Sequence, residues 1–374
     1  MIDVSDKSQC CGCGACSCVC PKQCIKMNED SEGFFYPSVD ENACIHCNLC
    51  DRVCPVINSS KAKDEVCSEV FAATNKDELI RLSSSSGGVF TALAASVINR
   101  GGVVWGAAFN DDFSVEHKKV DNIRDIAILR GAKYVQSNAH KAYQEIKKDL
   151  KDGVIVLFSG TPCQVEGLLS FLGEKYDSLI TIDLVCHGVP SNLIWQKYLS
   201  QFGVPMQVNF RDKKTGWRNY STTLSFQKKI ISESHNDNPY MKAFLFNYTL
   251  RPSCYSCKFK KEDRLSDITL ADFWGAWEIA PNENDDKGLS AVFVHSDVGK
   301  RTLEYASKDL RLVPVDYIRT IEKNPAYIES AKKPEDREEF LKILLQGPFD
   351  SAIKTKFRVS AKHRIKNFIK QLVK

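Results

Sequence analysis

No apolar run in these 374 residues approaches the roughly 20 residues that a membrane-spanning helix needs. Met1-Ile2-Asp3-Val4 has neither the basic start nor the apolar core of a secretory signal. A Walker A pattern is missing, and no G-x-G-x-x-G follows a strand-like run. Neither a P-loop ATPase nor an ordinary Rossmann dinucleotide site is therefore supported. Charge of one sign is scarce except at the end. The formal net charge is +4, and residues 351–374 hold eight Lys or Arg with no Asp or Glu. The remainder has 43 basic and 47 acidic residues, so the body shows no basic patch for nucleic acid. These absences lead to the expectation of a cytoplasmic protein with no nucleic-acid partner.

What the chain has in quantity is cysteine, sixteen in all. In a reducing compartment they read as metal ligands rather than disulfides. Two runs share one spacing: Cys10-x-x-Cys13-x-x-Cys16-x-x-x-Cys20-Pro21 and Cys44-x-x-Cys47-x-x-Cys50-x-x-x-Cys54-Pro55. This is the spacing with which two-cluster ferredoxins hold 4Fe-4S cubanes, the fourth cysteine of each run serving the other cluster. Cys10, Cys13, Cys16 and Cys54 are assigned to one cluster, and Cys44, Cys47, Cys50 and Cys20 to the second. The bland alternative is two zinc sites, since zinc also takes four thiolates. Cys11, Cys18 and Cys24 lie off the ligand register and read, like Cys67, as buried or loop thiols.

Beyond a polar linker at 56–66, the pattern becomes α/β. A strand is expected at 69–74, a strand at Val103 to Phe109, and an amphipathic helix at 139–151. Buried apolar strands are expected at 154–158 and 179–185. Between the first two lies Ser83-Ser84-Ser85-Ser86-Gly87-Gly88, opening a mostly apolar helix. Small residues and a helix N-terminus can cradle a phosphate; an ordinary capped turn is the plain alternative. The segment Lys133-Tyr134-Val135-Gln136-Ser137 gathers a cation, an aromatic ring and polar groups.

The strand at 154–158 runs into Cys163, and the strand at 179–185 into Cys186-His187-Gly188. Ligand sites in open α/β sheets lie at such strand ends, so the two cysteines are expected to meet. Cys254-x-x-Cys257 supplies two more thiols. The set of four fits a third cubane, a structural zinc, or a redox-active dithiol at Cys254 and Cys257. His187 reads either as a proton donor or as a group that orients its metal-ligand neighbour. Asp183, in a buried strand, reads as a site group or a satisfied buried carboxylate.

Several ordered segments carry a family resemblance. They are Ser85-Ser86-Gly87-Gly88-Val89, Gly131-Ala132-Lys133-Tyr134-Val135-Gln136-Ser137, Ser159-Gly160-Thr161-Pro162-Cys163-Gln164, Cys186-His187-Gly188, Arg251-Pro252-Ser253-Cys254-Tyr255-Ser256-Cys257 and Asp272-Phe273-Trp274-Gly275. Over about residues 66–330 the chain resembles the family of coenzyme F-420 hydrogenase/dehydrogenase beta subunits, here with a fused two-cluster ferredoxin. The resemblance implies an iron–sulfur flavoprotein oxidoreductase that binds FAD. The flavin would lie near Ser84, Ser85, Ser86, Gly87, Gly88, Lys133, Tyr134, Gln136 and Ser137. A third 4Fe-4S cluster would fall on Cys163, Cys186, Cys254 and Cys257. Electrons would run, in either direction, between a redox donor protein (a ferredoxin or another subunit), the clusters, FAD and a small-molecule substrate. Relatives suggest a deazaflavin coenzyme or a polysaccharide-pathway intermediate as that substrate. His187 and Asp183 are the candidate catalytic groups.

The expected fold class is α+β and α/β: a ferredoxin-like domain, then an α/β flavin-binding body with mixed sheets and a C-terminal helical tail. The division is a 4Fe-4S domain at 1–60, a flavin-binding part at 66–150, a part with the third cysteine set at 151–330, and a basic tail at 331–374. In the tail, Phe357, Ala361, Ile365, Phe368 and Leu372 recur at helical spacing. Such a helix suits either a peripheral membrane contact or packing on protein. The competing function is a non-enzymatic electron-transfer adaptor with structural zinc at the second cysteine site. A weaker third is a dithiol reductase.

Overall fold

The computed structural model describes residues 1–58 and 69–357. Most of the linker expected at 56–66, Cys67, and the tail from 358 onward lie outside the described residues.

In the N-terminal module, each cysteine run ends on a short helix, Ala15–Val19 and Leu49–Arg52. Gly14 (φ +75°) and Asn48 (φ +58°) stand at their N-caps in the left-handed region, which turns the loop sharply into the helix. Strands β1 (Ile25–Glu29) and β2 (Phe35–Val39) pair antiparallel, with Ile25 opposite Val39. Ile2 and Ile25 pack with Cys16, Cys24 and Cys50 into a small core beneath them.

The body is built on β3 (Glu69–Asn75), β4 (Val103–Phe109), β5 (Val115–Val120), β6 (Val156–Ser159) and β7 (Leu179–Leu184). After them come β8 (Gln207–Asp212), β9 (Ser221–Ser225), β10 (Ile230–Ser234), β11 (Ile268–Asp272), β12 (Ser290–Val294) and β13 (Leu310–Pro314). Eight of these form one sheet in the order β13-β3-β12-β11-β7-β6-β4-β5. Its centre, β11-β7-β6-β4, is parallel; both flanks are antiparallel. The sheet places β4 beside β6, so strands from the 66–150 and 151–330 portions share it.

Alternation along each strand divides the core between two faces. Val104, Leu157 and Ile182 pack under the helix Val89–Ile98 with Leu93 and Val97. Trp105, Phe158 and Leu179 pack on the other face with Tyr143 of helix His140–Lys151 and Leu168 of helix Pro162–Leu172. β8, β9 and β10 make a separate antiparallel sheet. It adjoins an aromatic core of Trp195, Tyr198, Phe210, Tyr240, Phe340 and Phe349.

The ferredoxin-like module is docked on this body. Its helix Ala15–Val19 meets the helices His140–Lys151 and Pro162–Leu172. Gly167 of the latter makes the approach close: a Cβ there would lie 2.6 Å from the Cβ of Cys13. Gln144 donates to the carbonyl of Cys18 (2.6 Å), and Arg337 grips Glu32 through both carboxylate oxygens (3.1 and 2.6 Å).

Candidate metal centres

Cys10, Cys13, Cys16 and Cys54, the first quartet, line one cavity of about 270 Å³ with Ile2, Val4, Met27 and Val56. Cys20, Cys44, Cys47 and Cys50, the second quartet, line another, about 20 Å³, with Ile25, Val39 and Leu49. Crossing over is thus built into the geometry: Cys54 comes back to the first run and Cys20 to the second. Burial pushes the Cys16 thiol up to about 12. Thiolate ligation there therefore expels a proton that the apo protein holds tightly.

Cys163 follows β6 on the first turn of its helix, behind a capping box of Thr161 and Gln164. Cys186 follows β7. Because β6 and β7 are parallel neighbours, both chains leave the sheet at the same end. The 3-10 turn Pro252–Ser256 brings Cys254 and Cys257 to the same place. All four line a third cavity of about 40 Å³. Its lining also holds Arg251, Lys258 and Lys260, and among the described residues no Asp or Glu. Cys186 is pushed up to about 12 by burial, with the Lys260 charge pulling the other way. This is an enclosed set of thiols in a cationic shell, suited to an anionic centre. Among the described residues, no three His, Cys, Asp or Glu side chains close on a single-ion position.

The first and third cavities share a wall. Cys11, Val56 and Lys258 line both. The Cys11 thiol lies against Cys163 across it and raises the pKa of Cys163. Arg251 reaches from the third cavity to the sulfur of Cys10 (3.6 Å) in the first. Sequence reasoning assigned no role to Cys11, Cys24 or Arg251. Cys11 breaks the ligand spacing; Cys24 lies against Cys20, sulfur to sulfur at 3.3 Å. The available signal for Arg251 was its place just before the Cys254-x-x-Cys257 pair.

The residues named for a flavin fall into two groups. Ser85 accepts from the amide of Ala132 (2.6 Å), which joins the Ser/Gly turn to the Lys133 segment. Gly87 packs where a Cβ would lie 2.2 Å from the carbonyl oxygen of Ala73. Ser84 and Ser86 donate to the carbonyls of Ile80 and Leu289. Around this turn stand three half-buried cations whose hydrogen bonds go to carbonyls and hydroxyls. Lys133 donates to the carbonyls of Ile128, Leu129 and Arg130. Lys213 donates to those of Arg81, Ser86 and Lys287. Arg130 donates to Thr91 and Ser83. Desolvation lowers Lys133 and Lys213 to about 7. Three cations beside one Ser/Gly turn suit an anionic phosphate, with Asp272 and Asp285 acting on Lys213 and Asp77 on Arg130 as the opposing charges. The other group stands apart: Gln136 donates to the carbonyl of Cys11 (3.2 Å) beside the shared wall, and Ser137 bonds His117 (2.8 Å). Tyr134 stacks on Phe244 with centroids 4.9 Å apart.

His187 lines the third cavity and meets Phe244 edge-on at 5.0 Å. Desolvation, then the Lys260 charge, lower its pKa. Asp183 is only 2 % exposed; it pairs with Arg264 (3.1 Å) and accepts from Thr269, its neighbour across β11. It is absent from the lining of the third cavity.

Comparison with known proteins matches residues 155–317 to the family described as coenzyme F420 hydrogenase/dehydrogenase, C terminus of the beta subunit. Residues 9–58 match the 4Fe-4S dicluster domain. The F subunit of F(420)H(2) dehydrogenase from Methanosarcina mazei is 24% identical over 227 residues, covering 57% of this chain and 62% of that protein. The chain thus spans less than two thirds of this relative. An uncharacterized ferredoxin of Methanocaldococcus jannaschii is 34% identical over 68 residues, covering 17% of this chain and 87% of its own length. Among solved structures, a chain of the F420-reducing NiFe hydrogenase complex from Methanosarcina barkeri aligns with a TM-score of 0.49 at 17% identity, over 79% of this chain and 94% of that one. No helix among the described residues is long and apolar enough to cross a membrane.

Proposed function

We propose, for a chain that belongs to the family of coenzyme F420 hydrogenase/dehydrogenase beta subunits and carries a 4Fe-4S dicluster domain ahead of that part, the role of an iron–sulfur flavoprotein oxidoreductase. Three 4Fe-4S clusters and FAD are the proposed cofactors, the clusters supplying one-electron chemistry and the flavin the step from one electron to two. The observation that carries the reading is that each of three cysteine quartets lines its own cavity, and two of those cavities share a wall.

The chain's own residues do the rest. Cys10, Cys13, Cys16 and Cys54 would hold the first cluster. Cys20, Cys44, Cys47 and Cys50 would hold the second, and Cys163, Cys186, Cys254 and Cys257 the third. Arg251, Lys258 and Lys260 offset negative charge in the third cavity. Val56 and Phe259 supply apolar walls. Arg130, Lys133 and Lys213 give the Ser/Gly turn at 84–88 the charge that a flavin's pyrophosphate needs. His187 is proposed to hold or release a proton beside the third cavity. Asp183, spent on Arg264, is left out of the chemistry.

A deazaflavin coenzyme is the proposed substrate class, and a ferredoxin or a redox subunit the proposed partner. Both are read across from the relative named F(420)H(2) dehydrogenase. The test is anaerobic. Reduced deazaflavin is added to the reconstituted protein with and without FAD, and cluster absorbance is followed. Bleaching that requires FAD supports the reading. Bleaching by a one-electron reductant but not by reduced deazaflavin, whatever the flavin content, overturns it.

A further inference from the structure

Arg251 is 1 % exposed, and among the described residues none of its side-chain hydrogen bonds goes to a carboxylate. Its Nε donates to the carbonyl of Cys10 (2.8 Å) and its Nη2 to the carbonyl of Phe35 (2.9 Å) and the sulfur of Cys10 (3.6 Å). Its Nη1 donates to Oε1 of Gln136 (3.2 Å). The guanidinium stands 4.3 Å from the Tyr36 ring centroid and 5.4 Å from that of Phe34. Gly12, at φ +72°, makes room for it: a Cβ there would lie 2.8 Å from Nη1.

A buried cation without a counter-ion is costly. Aromatic faces and carbonyls compensate only part of the lost hydration. The remaining negative charge must come from what Arg251 lies between. On one side is Cys10 of the first quartet. On the other is the third cavity, which Arg251 itself lines together with Cys163, Cys186, Cys254 and Cys257. The side chain starts three residues before Cys254, on the segment that closes the third cage, and ends on a ligand of the first. It therefore belongs to both.

We propose that Arg251 is the shared counter-ion of the first and third cysteine cages, a positioning residue that raises the reduction potentials of the clusters in both and leaves the second cage untouched. The inference rests on reading both cages as 4Fe-4S sites. A reduced cluster carries one more negative charge than an oxidised one. A fixed cation in a low-dielectric wall therefore favours the reduced form on either side. A donor on a ligand sulfur acts in the same direction. The second cage serves as an internal reference, since Arg251 contacts none of its cysteines.

The test is an EPR-monitored redox titration of the full chain, reconstituted anaerobically, with iron counted on each sample. Signals are assigned by comparison with C47S, which disables the second cage. R251Q is expected to lower two of three midpoint potentials, by about tenfold in each reduction equilibrium, or about 59 mV per electron. Q136E, which sets a carboxylate against Nη1 while nearly keeping the shape, is expected to shift the same two downward. It decides the matter if R251Q fails to load iron. Three signals that stay in place, or that all move together, overturn the shared counter-ion while leaving the three-cluster reading intact. Wild-type protein with only two cluster signals overturns both.

Discussion

Lys133 and Lys213 make the pH dependence of the Ser/Gly turn a matter of single side chains. Burial lowers both to about 7, below the usual lysine value of about 10.4. Between those values the unfolded chain binds more protons than the folded one. Stability therefore rises with pH across that window. K133M should flatten the rise, as read by urea denaturation at pH 7 and pH 9; an unchanged slope would remove Lys133 from the account. An anion acts oppositely, because it prefers both lysines charged. FAD or inorganic pyrophosphate should bind best below about pH 7 and more weakly above it. At pH 6, K213M should weaken binding about tenfold, as expected for ~1.4 kcal/mol of lost charge pairing. Binding measured by calorimetry with no such loss would argue against the turn as a phosphate site. At the third cage, C186S should cost about four irons per chain while the ferredoxin signals persist. Loss of zinc with no loss of iron would contradict this.

Among the elements, the two parallel strands β6 and β7 explain why distant cysteines meet. The uninterrupted apolar run at 154–158 and the buried strand at 179–185 were legible in the sequence, as was the convergence of Cys163 and Cys186 at strand ends. The helix at 139–151 and the strand at 69–74 appear almost where periodicity puts them. β5 and β13 were not legible. They are edge strands, and β5 carries Glu116, Lys118 and Lys119 among apolar residues, so its alternation is masked by charge. The helix Pro239–Leu245 also escaped, because it has only seven residues between Asn238 and Phe246. The shared wall was invisible for another reason. It is made where Cys11 of the first module meets the 251–258 segment, a contact no local pattern encodes. Close approach at Gly167 has a measurable cost. G167V must push Cys13 or the helix aside, and should destabilise the protein by ~1–3 kcal/mol in denaturant titration. Unchanged stability would show that the module does not dock there.

For the whole molecule, the ferredoxin-like module is a fixed part of the body. Arg337, whose side chain is 3% exposed, holds Glu32 of that module and the carbonyl of Leu250. Removing its charge-assisted bonds in R337M should cost ~2 kcal/mol. It should also speed amide exchange around residues 30–36, measured by hydrogen exchange with mass spectrometry. Equal exchange in both proteins would mean that the module is held by other contacts alone. Docking matters because it sets the first cage against the third; the second cage shares no lining residue with either.

The central claim is three four-cysteine iron–sulfur cages in one chain, and its most direct test is a metal count. Iron, sulfide, zinc and flavin are measured on a single anaerobic preparation of the full protein. The account predicts about twelve irons with matching sulfide and one FAD per chain, and no stoichiometric zinc. About eight irons with one zinc and no flavin would contradict it, and would make the third cage a structural site in an electron-transfer adaptor.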